Sequence, residues 1–307
     1  MASNTTQLTM SSLIEETLDE LYRTSERPRQ AVLAEALDIS ETGVDVAAFT
    51  ADKLGATDIM EVDRELMLVT AVVSTTATVS RAYGGSTAAT HANGAVGSVN
   101  PDYPRIQVDR AVRRCFNQLN ASLPKIVSEV YPAASAYGQS AMVPLDKATM
   151  KVLDVRVSFD TTTLEKVTKL NGQWRFEDWL PNEISNTGKA LVIPSGYRDK
   201  ELIVTTQEAY SWTPTTGGEA ATIDIPVGGD DLAPLYAAAT LATGREMSRR
   251  EFDQIEEFNQ WESGRRNADV RLLQFYWGRF YQRLDEVKST QNAPRHRPYV
   301  RMSSGRR

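Results

Sequence analysis

The chain has 307 residues, a net charge of −6 and 41% hydrophobic residues, enough to bury a sizeable core without covalent staples. Its one cysteine, Cys115, excludes an intramolecular disulfide and, set in an apolar helical pattern, reads as a buried thiol rather than a nucleophile. No run of about 20 apolar residues offers a membrane span, and the polar, then acidic, start lacks a signal-peptide layout, so a soluble chain assembled in a reducing cytoplasm is expected.

In chain order, a helix is predicted over residues 12–24, with Ser12 and Glu15 at capping-box spacing and Ile14, Leu18, Leu21 and Tyr22 on one face. Short apolar and β-branched runs at 44–49, 66–73 and 76–83 predict strands of a small sheet or barrel. The Gly, Ala, Ser and Thr of residues 84–97 predict an irregular loop. A helix follows Pro104, with Val108, Ala111, Val112, Cys115 and Leu119 as its apolar stripe and room for a further helical turn between Pro124 and Pro132.

A second β region begins near Thr149, where Leu153, Val155, Val157 and Phe159 alternate with polar residues. Asn171-Gly172 reads as a hairpin turn leading to Trp174 and Phe176, and strands are predicted at 191–194, 202–206 and 222–227. Asp230 or Asp231 caps an Ala-rich helix that stops at Gly244, and Ser248 with Glu251 opens another. Val270, Leu273, Trp277, Phe280, Leu284 and Val287 then form an apolar seam, with Tyr276, Arg279 and Tyr281 as candidates for an interface rim. The fold class is α+β. An N-terminal helix, small β unit and central helix occupy 1–148, a β-sandwich-like domain 149–228, C-terminal helices 229–288 and an extended basic tail 289–307.

Charge is unevenly spread. Residues 1–70 carry 14 acids, among them Glu15, Glu16, Asp19, Glu20, Asp58, Glu61 and Asp63, against 5 bases. The tail instead offers Arg295, Arg297, Arg301, Arg306, Arg307 and Tyr299 with no acid, the composition of an arm that docks on an acidic partner surface or, second, contacts nucleic acid.

Catalytic and metal motifs are missing from the sequence. The two histidines, His91 and His296, lie in unrelated contexts, and no CxxC, HExxH, EF-hand, P-loop, dinucleotide or GxSxG pattern occurs. No cofactor, metal site or enzymatic activity is expected. A hydrolytic couple of His91 with Thr87 or Ser86 competes with a loop whose histidine and hydroxyls bond local backbone. Trp174, Trp179, Tyr210 and Trp212 could serve as stacking platforms of a carbohydrate-binding or hydrolytic β-sandwich, against a packing role in strands.

The stretch ATVSRAYGGSTAATHANGAVGSV, residues 77–99, resembles a pattern recurring in neck and other virion proteins of long-tailed phages. The matching positions are Val79, Arg81, Gly84, Gly85, Thr87, Ala88, Ala89, His91 and Gly94; Ala82 stands where such proteins often have glycine, and Ser86 is inserted before the threonine. The resemblance implies a head-to-tail connector in the virion neck: a ring, dodecameric in that family, below the portal protein. It would contact neighbouring copies and the next neck or tail protein, and DNA would pass its lumen without sequence-specific binding. A tail-terminator or baseplate protein is the structural alternative. An acidic lumen would suit DNA transit, because a basic lining would hold phosphates.

Overall fold

The computed structural model describes residues 5–22, 27–131, 135–137, 140–158, 167–181, 183–197, 200–213, 218–226, 228–242 and 262–292. Strand β1 (Thr5–Thr9) runs directly into helix α1 (Met10–Leu21). Thr9, rather than Ser12, is the N-cap: its hydroxyl accepts the Ser12 backbone N–H at 3.1 Å, while the Ser12 hydroxyl donates back to the Thr9 carbonyl at 2.9 Å. The helix therefore starts earlier than the capping-box spacing predicts. It buries Met10, Leu13, Ile14, Thr17 and Leu21.

The next unit is mainly β, with a single turn of α2 (Ala48–Ala51), which takes up the end of the segment expected as one strand over 44–49, and a 3-10 turn at Tyr83–Gly85. Its strands are β2 (Arg29–Val32), β3 (Gly43–Asp45), β4 (Ile59–Val62), β5 (Glu65–Val73), β6 (Thr76–Ser80) and β7 (Val96–Val99), in the order β2-β7-β4-β5-β6-β3. The two outer strands meet at a Leu33–Val46 bridge. There the Ala34 N–H donates to Asp45 O at 2.8 Å and the Ala47 N–H to Val32 O at 2.9 Å. The sheet thus closes on itself as a small barrel, leaving few unpaired backbone groups at its edges. Alternation along the strands sends Met60, Val62, Met67, Val69, Ala77 and Val79 inward, where they form one core. Gly97 of β7 lies where β4 crosses closely, since a Cβ there would sit 1.9 Å from the Glu61 carbonyl oxygen.

Helix α3 (Arg105–Ser122) begins just after Pro104, and its expected stripe of Val108, Ala111, Val112, Cys115 and Leu119 is buried. The segment after it is a strand rather than a further helical turn. The β-branched run of β8 (Lys125–Tyr131) pairs along its whole length with β15 (Glu201–Glu208). The strands between them are β9 (Ser135–Tyr137), β10 (Ser140–Pro144), β11 (Thr149–Ser158), β12 (Val167–Lys169), β13 (Arg175–Asp178) and β14 (Lys189–Pro194).

These strands make two four-stranded sheets, β13-β14-β10-β9 and β12-β11-β15-β8. One core serves both, with Val143, Leu191 and Ile193 contributed by the first and Val155, Val157, Leu202 and Val204 by the second. The β unit thus starts at Lys125, well before the boundary expected near Thr149. Asn171-Gly172, with Gly172 at φ 68°, is not a hairpin turn, because β12 before it and β13 after it belong to different sheets. Leu153 is 37% exposed while Val152 is buried, the reverse of simple alternation, because the register of β11 against β15 shifts between Val152 and Asp154. Phe159 lies outside the described residues.

Strand β16 (Thr222–Pro226) joins neither sheet but pairs antiparallel with β1, so the N-terminal strand and a late strand form a ribbon. This ribbon packs with α1, α3, α4 (Leu232–Ala242) and α5 (Glu262–Asn292) in a third core. Helix α4 is its centre, touching α1, α3 and α5, and fully buried Ala237, Ala238 and Ala239 allow that close approach. The seam of α5 buries Phe280, Leu284 and Val287 as expected. Tyr276, predicted on the rim, is 3% exposed instead, and its hydroxyl donates to the Glu20 carbonyl at 3.0 Å. Gly244 and the Ser248–Glu251 capping signal lie outside the described residues.

Candidate functional site

The motif of residues 77–99 is built around an acid that sequence reading passed over. Along β5, Glu65 shares the inward parity of Met67 and Val69; along β6, Arg81 follows Ala77 and Val79. The barrel interior thus ends in a carboxylate opposite a guanidinium. The Arg81 Nε–H donates to Glu65 Oε1 at 2.6 Å and Nη2–H to Oε2 at 2.7 Å, a two-pronged pair with side chains 8% and 0% exposed. The remaining guanidinium N–H groups reach the carbonyls of Asp38 (2.6 Å), Glu41 (2.8 Å) and Ala89 (2.6 Å). One side chain thereby ties two loops, the β2–β3 and β6–β7 connections, to the end of the barrel.

His91 lies 4% exposed on the same acid, with Nε2 3.0 Å from Glu65 Oε2 and Nδ1 2.7 Å from Asp63 Oδ2. Glu65 also accepts the backbone N–H groups of Ala82 at 3.2 Å and Ala89 at 2.9 Å. Burial alone would raise its pKa, but these bonds from Arg81, Ala89, His91 and Ala82 together outweigh burial and hold it at about 2.

The other motif positions shape the loop. Gly84 (φ 62°) and Gly85 (φ 79°) adopt the left-handed backbone that makes the turn. The Gly85 carbonyl accepts from Arg110 at 3.3 Å, and Gly94, at φ 78°, donates its N–H to the Leu33 carbonyl at 3.0 Å. Thr87 is exposed and takes no part in the network. Ser86 is buried, accepting the Leu66 N–H at 3.0 Å and donating to the Tyr83 carbonyl at 2.9 Å. The geometry does not form the hydrolytic couple: both ring nitrogens of His91 face carboxylates, Asp63 and Glu65, and neither faces the hydroxyl of Ser86 or Thr87. The loop bonds local backbone through Ser86, as expected, but its histidine does not. A glutamate opening an otherwise apolar strand, Glu65-Leu-Met-Leu-Val, was the available signal for the missed residue.

A second polar feature lies beneath α1. A cavity of about 520 Å³ opens between that helix, β7 and the start of α3, with Glu15, Tyr22, Glu61, Ser98, Arg105 and Glu219 in its wall. Glu61 is 3% exposed. One of its oxygens accepts the Arg105 backbone N–H at 2.6 Å, and the other lies 3.5 Å from the Ser98 hydroxyl. The Arg105 guanidinium turns away to Glu15 (2.6 Å) and Glu219 (2.8 and 3.0 Å). Burial pushes the Glu61 pKa up to about 7, against the opposing pull of the Arg105 N–H.

The acidic front is therefore partly internal. Glu61 and Glu65 are buried, and Glu15, Glu20 and Asp19 pair with Arg105, Arg279 and Arg27. Of the four aromatic stacking candidates, Trp179 stands 92% exposed, while Tyr210 is buried and donates to the Leu123 carbonyl at 2.7 Å. Trp212 packs edge-on against Phe116 beneath Arg113, and Trp174 lies against the two-sheet core. Burial also raises the pKa of the Cys115 thiol well above its ordinary value, which removes the thiolate that nucleophilic chemistry needs.

Among the described residues no group of three or more His, Cys, Asp or Glu side chains is placed to hold a metal ion, and no helix is long and apolar enough to cross a membrane. The tail residues Arg295, Arg297, Tyr299, Arg301, Arg306 and Arg307 lie outside the described residues. No protein-family model matches the chain, and no similar curated protein was found.

Proposed function

We propose that the chain is a non-catalytic structural subunit of a tailed-phage virion, a head-to-tail connector that forms a ring below the portal protein in the neck. The observation that carries this reading is the use to which the motif is put. The two charged or titratable side chains of the phage-like motif, Arg81 and His91, are both spent on Glu65, so they serve to tie the loop down as a structural element. Fixing a loop to the mouth of a barrel at the cost of burying charge suits a surface that must present one shape to a neighbour. In this reading the subunit is assembled in the host cytoplasm, contacts its copies and the next neck or tail protein, and lets DNA pass the lumen without reading its sequence.

Co-expression with the cognate portal tests it. Closed rings on the portal, seen in negative-stain micrographs, are expected; a monodisperse monomer that never associates with the portal would sink the proposal. The alternative of a tail-terminator or baseplate protein places the chain elsewhere in the same particle, and immunogold labelling at the neck or at the tail tip separates the two. Of the four platforms of the carbohydrate-binding alternative, Tyr210 is buried, Trp174 and Trp212 are half-buried and Trp179 stands exposed, and a glycan-binding assay on the full chain decides it.

A further inference from the structure

The cavity beneath α1 is lined by a buried acid, Glu61, to which no cationic side chain among the described residues is bonded. Among the described residues no lysine, arginine or histidine side chain bonds Glu61, because Arg105, the nearest, is committed to Glu15 and Glu219. A buried carboxylate in this state costs free energy that a guanidinium or ammonium group could recover by bonding it. The cavity has room for such a side chain, and its wall offers Glu15, Asp63 and Glu219 as further acceptors. The chain itself carries a segment of matching chemistry. The 15 residues after α5, APRHRPYVRMSSGRR, contain five arginines and no acid, and when extended they span about 50 Å.

We propose that this cavity is a guanidinium-binding site and that its occupant is the arginine-rich C-terminal arm, residues 293–307, of a second copy of the chain. The choice of a second copy rests on the assembly reading above; the chemistry of the site does not. An arginine entering beside Glu61 supplies the missing counter-charge, and the carboxyl gives up its proton to the solvent as the arm binds. Affinity therefore rises with pH through about 7, where Glu61 ionises, and levels off above it. The other titratable or charged groups in the wall are Glu15 of α1, Tyr22 just after it, Arg27, Asp63, Tyr103, Arg105 and Glu219.

The test uses the full chain with Arg295, Arg297, Arg301, Arg306 and Arg307 changed to serine, so that no arm competes. It is titrated into a fluorescent, N-acetylated synthetic peptide of residues 293–307 carrying His296→Gln, so that the peptide itself does not titrate between the two conditions, read by anisotropy at about pH 8 and pH 6. Saturable binding is expected, about tenfold weaker at the lower pH. Adding Glu61→Gln should weaken binding about tenfold at the higher pH and abolish the pH dependence, which assigns it to Glu61 rather than to Glu15, Asp63 or Glu219. Should that variant misfold, Ser98→Lys supplies an internal cation to Glu61 and is expected to block the peptide.

Absence of saturable binding, or a pH profile that survives Glu61→Gln, overturns the site. Sedimentation equilibrium of the unsubstituted chain then addresses the exchange. A mass that rises with concentration, and rises less in Glu61→Gln, supports it; a strict monomer that still binds the peptide assigns the arm to its own cavity and overturns the second copy. None of these readouts involves the portal, so failure of the connector reading leaves them separately interpretable.

Discussion

Deleting the Arg81 guanidinium while leaving Glu65 in place would strand a carboxylate that is 1% exposed. Arg81→Ala should therefore cost about 3–5 kcal/mol in denaturant-midpoint measurements, the range for breaking one side of a buried pair. Arg81→Lys keeps the charge but loses the fork and the three carbonyl bonds, and should recover only part of that stability. The two buried glutamates respond oppositely to pH. Glu65, held at about 2 against an ordinary 4.5, contributes stability that is fully present above 4.5 and is lost as pH falls toward 2. Glu61, raised to about 7, works the other way: the unfolded chain ionises first, so stability drains away between about 4.5 and 7 and stays level above. Thermal unfolding of Glu61→Gln should accordingly gain on the unsubstituted chain as pH rises through that window, and a gap independent of pH would contradict it. The histidine and arginine of this network were legible as a motif, whereas the acid between them was not. A charge within an apolar strand reads as solvent-facing until the closure of the barrel turns its face inward.

Whole elements were most legible where one periodicity decides. The stripe of α3 and the seam of α5 follow a helical repeat, and each buries most of the predicted side chains that can be assessed. Elements depending on a distant partner were not. Strand β1, Thr-Thr-Gln-Leu-Thr, has no hydrophobic pattern of its own and exists because β16 pairs with it. The bulge in β11 inverts Leu153 through a register shift that alternation cannot foresee, and Asn171-Gly172 makes a turn without deciding which sheet receives the next strand. Two substitutions probe elements directly. Thr9→Ala removes the side-chain acceptor for the Ser12 N–H and should cost about 1 kcal/mol of stability. Gly97→Ala places a methyl on the Glu61 backbone carbonyl, which rigid barrel strands cannot yield, and should cost about 3 kcal/mol or more, seen as loss of folded protein at 37 °C.

The molecule as a whole is α+β, with separate hydrophobic cores for the barrel, the two-sheet unit and the helical body. The fold class was readable, but the two-sheet unit takes its first strand from the segment beside α3, and β16 leaves it for the helices, so the boundaries expected from the sequence do not coincide with these units. Removing residues 1–9 should loosen the helical body while sparing the barrel. Hydrogen exchange would then show protection lost in α1, α4 and α5 but retained in β4 through β6; uniform loss would mean the cores unfold as one.

The β1–β16 ribbon also sets an order of events during synthesis. Thr5 stands in register opposite Pro226, more than two hundred residues later in the chain. A nascent chain can complete the barrel once residue 99 has emerged, but its first strand and helix must wait, unpartnered, for a strand translated long afterwards. The segment of β1 and α1, synthesised well before β16, is thus among the last of the parts described to acquire its final neighbours, and its apolar stripe is the surface that a holding chaperone would meet.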